Sequence, residues 1–330
     1  MDGWVLMFSL PWRKKTITIK NDVSLQSIDV SWLDQFLVVA EGLPRPNWQE
    51  VQKYVDDNFP EENQDHLWNE IAREWMRLLM HCFSDDYGVI ETENFILISS
   101  ADSLYNKAMS KHLEYCRRRI LHLSKGITSD DGFGKFVVII FSDSESYYQY
   151  VSYFYGSEGG TYGLSSGMYI NDGYGHFVFV KGEMIMVEPI IAHEMTHALL
   201  SHLPIPLWLN EGIAVNMEAT ISNVSPERIN KAGYQQHEEF WARDEIQEFW
   251  NGTSFFRPDE GQKLSYQLAQ LMVARFNENY DAFVEFVNAA HFDDAGEKAM
   301  GDIFEMSLGD LVAGFLGEGQ WQPEPNLWNQ

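Results

Sequence analysis

The sequence predicts an α+β protein in which a sheet-bearing half is followed by a helical half. Three observations carry this. Between about residues 94 and 180, short apolar runs alternate with helical stretches. Beyond about residue 189 the pattern is helical to the end. A chain of 330 residues with 45% hydrophobic and 14% aromatic residues can bury a sizeable core, as one large domain or two modest ones.

The elements follow in order. Residues 1 to about 60 mix strand-like runs, such as Thr16-Ile17-Thr18-Ile19, with helical stretches over residues 30–40 and 48–57. Leu43-Pro44-Arg45-Pro46-Asn47 reads as a rigid connector. Leu67, Trp68, Ile71, Trp75, Leu78 and Leu79 recur at three-and-four spacing, so an amphipathic helix is expected over roughly residues 61–83, its aromatics in the core. Residues 95–98 fit a strand, 102–123 a helix, 136–141 a buried strand and 143–155 a tyrosine-rich helix. Glycine-rich turns at 156–160 and 163–167 precede strand-like runs at 168–170 and 176–180. Asn171-Asp172-Gly173 suits a hairpin turn between those two runs. Helices are expected over 189–200, 207–215 and 264–280, and the tail 320–330 has no periodicity. This divides the chain into an α/β extension (1–90), a sheet-bearing part (91–188), a helical part (189–317) and a tail (318–330).

Charge and cysteines narrow the function. A net charge of −26 argues against nucleic acid, which needs a basic patch, and against anionic membranes. No segment reaches about 18 uninterrupted apolar residues. The basic cluster Arg13, Lys14 and Lys15 follows the first apolar run, the wrong order for a signal peptide. Cys82 and Cys116 fall at apolar positions of expected helices without metal-type spacing, so buried free thiols and a cytoplasmic location are expected.

The chemistry concentrates in His193-Glu194-Met195-Thr196-His197. Two histidines at i and i+4 share one helical face and can grip one metal ion, most often zinc. The glutamate between them is placed to act as general base toward a water that the metal activates. Pro189 suits the first turn of this helix. Ile190, Ile191, Met195, Ala198 and Leu199 make the helix a buried one, where polar side chains need a reason to be. Pro204 and Pro206 end it, and Leu207-Trp208-Leu209-Asn210-Glu211-Gly212-Ile213-Ala214-Val215 begins a second helix with Glu211 among apolar neighbours. A lone buried carboxylate is costly, whereas a zinc ligand is not.

These two motifs resemble the gluzincins, the thermolysin- and aminopeptidase-like zinc peptidases, and most of all the short bacterial peptidase MA-like domains. Thirteen residues separate His197 from Glu211, a shorter spacing than that of thermolysin or the large aminopeptidases. The resemblance spans about residues 90–290 and is specific at the two motifs. It implies a mixed sheet with helices, a zinc helix joining the two halves and a zinc cleft between them. It also implies His193, His197 and Glu211 as zinc ligands and Glu194 as the catalytic base. Tyr266, in Leu264-Ser265-Tyr266, is implied as a donor to the oxyanion, its alternative being a core-packing tyrosine. Tyr234 and His237 are weaker candidates for that donor. The strand at 176–180, just before the zinc helix, is expected to be the edge that pairs with substrate backbone.

Three residues complete the reading. Glu218 could orient a ligand imidazole or be a solvated helix carboxylate. Glu188 reads as an N-terminal helix carboxylate, and His202 points away from the ligands. The expected activity is zinc-dependent hydrolysis of a peptide or protein substrate. The alternatives are a zinc-retaining scaffold or sensor, marked by a closed fourth metal position, and an interaction module without zinc, marked by ligand residues pointing apart.

Overall fold

A computed structural model describes residues 28–40, 42–83, 86–154, 166–223, 229–241, 243–276 and 279–328. The strand-like run at 16–19, the basic cluster at 13–15, and the glycines from 156 to 163 lie outside the described residues.

A 3-10 turn over Ser31–Phe36 leads into β1 (Leu37–Ala40), which pairs antiparallel with β2 (Leu43–Pro46). The helix expected over 30–40 and the connector expected at 43–47 are therefore a two-stranded ribbon. Both strands of such a ribbon are edges, which is where prolines such as Pro44 and Pro46 can sit without breaking a ladder. Gly42, at φ 77°, makes the turn. The Asn47 side chain caps α1 (Trp48–Asn58) by accepting from Glu50 N–H. Next, α2 (Glu61–Met80) buries Leu67, Trp68, Ile71, Trp75 and Leu79 at the spacing read from the sequence. It ends short of Cys82, which is exposed rather than buried; Cys116 is buried, and both are free thiols.

The sheet has five strands: β3 (Gly88–Glu91), β4 (Phe95–Ser99), β5 (Phe136–Phe141), β6 (Gly167–Ile170) and β7 (His176–Val180), ordered β3-β4-β5-β7-β6. The central three are parallel and the outer two antiparallel. The helices α3 (Ser103–Leu123) and α4 (Ser144–Ser152) fall in the connections after β4 and β5. Strands buried on both faces need continuous apolar runs, and β4, β5 and β7 have them. Ile96, Ile98, Val137, Ile139, Phe141 and Val178 share one core with Trp68, Ile71 and Trp75 of α2 and Val51 and Val55 of α1. The alternate residues Phe95, Leu97, Val138, Ile140, Phe177 and Phe179 are equally buried and turn to the opposite face.

One expectation is corrected here. β7 is an internal strand, with β5 on one side and β6 on the other, so it offers no edge to a substrate. The hairpin at 171–173 folds β6 to the outside, and β6 is the end strand of the sheet among the described residues.

The metal-motif helix, α5 (Met184–Leu200), starts five residues before Pro189, which lies inside it. Proline has no N–H for the carbonyl of Ile185, but Ile185 is 74% exposed, so water can serve that oxygen. Glu188 accordingly lies within the helix; its backbone oxygen is 3.2 Å from His112 Nε2. The chain continues through α6 (Leu207–Ile221), α7 (Lys231–Phe240), α8 (Arg243–Trp250), α9 (Glu260–Arg275), α10 (Tyr280–Ala289), α11 (Glu297–Phe304) and α12 (Leu308–Leu316). The single helix expected over 264–280 is divided. Asp259 caps α9 earlier than expected, and the Asn279 side chain caps α10 by accepting from Ala282 N–H. These helices enclose a second core around Trp208, Trp241, Phe249, Trp250 and Phe286, which Trp321 of the tail joins.

The described chain gathers into two compact units. Residues 28–118, 130–154 and 166–194 make one, built on the sheet; residues 119–129 and 195–328 make the other, built on the helical core. No helix among the described residues is long and apolar enough to cross a membrane.

Candidate metal centre

His193 and His197 stand one turn apart on α5, and Glu211 lies in the first turns of α6. One ligand atom from each falls within 4.8 Å of the others, the one such group of three among the described residues. Both histidines are half-buried and Glu211 is buried.

The neighbours of Glu211 explain how it is set. A Cβ on Gly212 would lie 2.6 Å from the Ala269 carbonyl oxygen and 2.6 Å from Val273 Cγ2. Only glycine lets α9 close on α6 at that point. Asn216 reinforces the contact by donating from Nδ2 to the Gln270 carbonyl at 3.0 Å. The rotation of α6, and with it the direction of Glu211, is therefore fixed by packing next to the ligand.

His197 Nδ1 lies 2.6 Å from Asn210 Oδ1. An amide oxygen can only accept, so Nδ1 carries the hydrogen and Nε2 presents its lone pair. That nitrogen is 3.4 Å from Glu211 Oε2. A lone pair facing a carboxylate oxygen is held together by a cation, either a proton or a metal ion. With a second imidazole in the same cluster, the donor set of two nitrogens and one carboxylate fits zinc. Asn210 orients the ring in the way that outer-shell acceptors orient metal-binding histidines. The sequence reading passed over it, although it immediately precedes Glu211 in the motif.

Glu194 is not one of the three clustered residues. Its Oε2 accepts the backbone N–H of Tyr169, on β6, at 2.7 Å. β6 can lie that close to α5 because residue 167 is glycine: a Cβ there would fall 2.8 Å from Ile190 Cγ2 and 2.3 Å from Phe179 Cδ1. Glu194 is half-buried, so water can reach its carboxylate.

Tyr266 lies on α9, half-buried, its ring edge-on to Phe255 at 5.2 Å between centroids. It precedes Ala269 by three residues and so shares the helical face that meets Gly212. His237 is corrected as a donor to substrate. It is fully buried; Nδ1 accepts from Trp241 Nε1 at 3.0 Å, so Nε2 carries the hydrogen and donates to Gln267 Oε1 at 3.2 Å. Burial holds its pKa below the ordinary histidine value. Tyr234 is partly exposed on α7. His202 is exposed beyond the end of α5 and outside the three-residue group.

No protein-family model matches the chain, and a search of curated proteins finds no match.

Proposed function

We propose that the protein is a zinc-dependent peptidase of gluzincin type. The observation that carries the proposal is the convergence of His193, His197 and Glu211, with Glu194 beside them on the same helix. Three protein ligands leave the fourth position of a tetrahedral zinc site for water or substrate. When bound there, zinc would polarise the scissile carbonyl and lower the pKa of water from ~15.7 to about 7.

The chain's own residues supply the rest. His193, His197 and Glu211 hold the ion, and Asn210 keeps His197 in the tautomer that binds it. The Glu194 carboxylate takes a proton from the attacking water and returns it to the leaving nitrogen of the peptide bond. Tyr266 donates its phenol hydrogen to the developing oxyanion. A peptide or protein substrate binds in extended form beside Glu194, whose carboxylate accepts from the Tyr169 N–H of β6. Two free thiols fit a reducing compartment, the cytoplasm.

The test is cleavage of a peptide library by zinc-loaded protein, with Glu194→Gln as control. The substitution removes the base without removing a ligand. The expected result is cleavage by the parent, a loss of about 10²–10⁴ in rate in the variant, and unchanged zinc content. Equal cleavage by both proteins contradicts the assignment of Glu194, and no cleavage by the parent contradicts the peptidase reading.

A further inference from the structure

The charge of α3 runs against that of the rest of the chain. The helix holds five of the 23 lysines and arginines and one of the 49 aspartates and glutamates, in a chain of net charge −26. Met109, Leu113, Cys116 and Ile120 form its buried face. The opposite stripe, at the same three-and-four spacing, is exposed and consists of Leu104, Lys107, Lys111, Tyr115 and Arg118. The helix's one acid, Glu114, is occupied elsewhere: it accepts from Thr92 Oγ1 at 2.7 Å, Asn94 N–H at 2.9 Å and Asn94 Nδ2 at 2.8 Å. Arg117, off the stripe, pairs with Asp130. Lys107, Lys111 and Arg118 have no ion pair among the described residues.

A helix face that only meets water is stabilised by acids and bases placed three and four residues apart. This face does the reverse. Lys107 and Lys111 are like charges at i and i+4, which repel. No acid stands on the stripe, although the chain has more than twice as many acids as bases. A row of carboxylates from outside would offset the repulsion. The spacing indicates their form. Lys111, Tyr115 and Arg118 lie about 6, 12 and 16 Å along the axis from Lys107, at ~1.5 Å per residue. In an extended chain, side chains on one face recur about every 6.6 Å. We propose that the exposed face of α3 docks an extended acidic segment of a partner protein, with carboxylates over Lys107, Lys111 and Arg118 and an apolar side chain over Tyr115. The matching pattern is acid-x-acid-x-apolar-x-acid, or its reverse for an antiparallel segment. A short segment fits better than a nucleic acid or a lipid surface. Those polyanions extend beyond the stripe and would face the acidic remainder of the chain, whereas a segment that stays on the stripe is screened from charges beyond about 8 Å. None of the candidate metal ligands lies on α3, so this docking does not rest on the peptidase reading.

The probe is a peptide carrying Glu-Ser-Glu-Ser-Leu-Ser-Glu, with fluorescein at its N-terminus and an amide at its C-terminus; the reversed sequence is a second probe. Anisotropy titration with the full chain at low salt should give saturable binding of one of the two. Lys107→Glu, Lys111→Glu and Arg118→Glu together should weaken that binding at least about tenfold, since three exposed pairs are lost and repulsion replaces them. Glutamate is a good helix former, so α3 should persist, and circular dichroism checks it. If the triple variant does not fold, Lys111→Glu alone decides, with an expected loss of about threefold. Reversing three exposed cations elsewhere, Lys53→Glu, Lys231→Glu and Lys263→Glu, changes the net charge equally and should alter Kd by less than about twofold. Tyr115→Ser leaves every charge in place and should weaken binding about threefold. Absence of binding by the parent overturns the proposal, as does equal weakening by the two triple variants. Unchanged affinity in Tyr115→Ser overturns the placement of an apolar side chain there. Tighter binding, through the same three cations, of a short single-stranded DNA or of vesicles with about 30% phosphatidylserine overturns it in favour of a polyanion.

Discussion

His176 in the sheet and His197 in the candidate metal centre start alike and end differently. Each holds an oxygen at Nδ1: the Tyr174 carbonyl at 2.8 Å for His176, Asn210 Oδ1 at 2.6 Å for His197. Each ring therefore presents the lone pair of Nε2. For His176 that lone pair meets the Tyr150 hydroxyl at 2.8 Å, a group that can donate, and the network closes on itself in a fully buried site. For His197 it meets a Glu211 carboxylate oxygen at 3.4 Å, a group that cannot donate when ionised. The difference teaches that the partner of the second nitrogen decides a histidine's use. A donor makes it structural, and an acceptor calls for a cation.

The comparison extends to the phenols and gives the largest expected effect. Tyr150 spends its O–H on His176, whereas Tyr266 is the proposed donor to the oxyanion. Tyr266→Phe should lower kcat by about 10²–10³, with kcat/KM falling alongside, because the donor acts mainly in the transition state. Steady-state kinetics check this, and unchanged rates remove Tyr266 from the mechanism. Tyr150→Phe should leave kcat as it is in the fraction that folds.

The next effect concerns the two oxygens at Nδ1. Asn210→Ala should weaken zinc binding by about 10–100-fold, as loss of an outer-shell partner does, while the fold persists. Competition with a chelator of known affinity measures it. An unchanged affinity would mean that His197 keeps its binding tautomer without Asn210.

The smallest effect is on stability. Burial lowers the pKa of His176 to about 4, below its ordinary value of 6.5. The unfolded chain therefore binds more protons than the folded one between these values. The stability associated with neutral His176 is complete above about pH 6.5 and is lost as pH falls toward 4, by an amount on the order of a few kcal/mol. Burial shifts His237 in the same direction. Denaturant melts across this window should show a shallower decline in His176→Phe, with zinc content unchanged. A decline as steep as the parent's would place the acid sensitivity elsewhere.

Much of this was legible in the sequence because the signals are local. The three-and-four spacing of Leu67, Trp68, Ile71 and Trp75 and the unbroken apolar runs of β4, β5 and β7 depend only on near neighbours. The grouping of His193, His197 and Glu211 was also readable, since the two histidines lie one turn apart and the glutamate opens the next helix. What was not legible depends on pairing at a distance. The ribbon of β1 and β2 was hidden by Pro44 and Pro46, which argue against strands until both strands are known to be edges. Strand order put β6 rather than β7 at the end of the sheet among the described residues, and no run of residues encodes that order. The helix boundary at Pro189 was misplaced because proline inside a helix is tolerable where the freed carbonyl faces water, which is a matter of exposure. The hold of Tyr169 on Glu194 is a backbone contact across 25 residues and leaves no mark in side-chain chemistry.

The measurement that bears most directly on the candidate metal centre is the zinc content of the parent and of Glu211→Ala, each loaded with zinc and dialysed to equilibrium. One zinc per parent chain is expected, and a stoichiometry well below one in the variant, because two imidazoles alone do not complete a zinc site. Zinc absent from the parent, or retained equally by Glu211→Ala, would contradict the assignment of His193, His197 and Glu211 as its ligands.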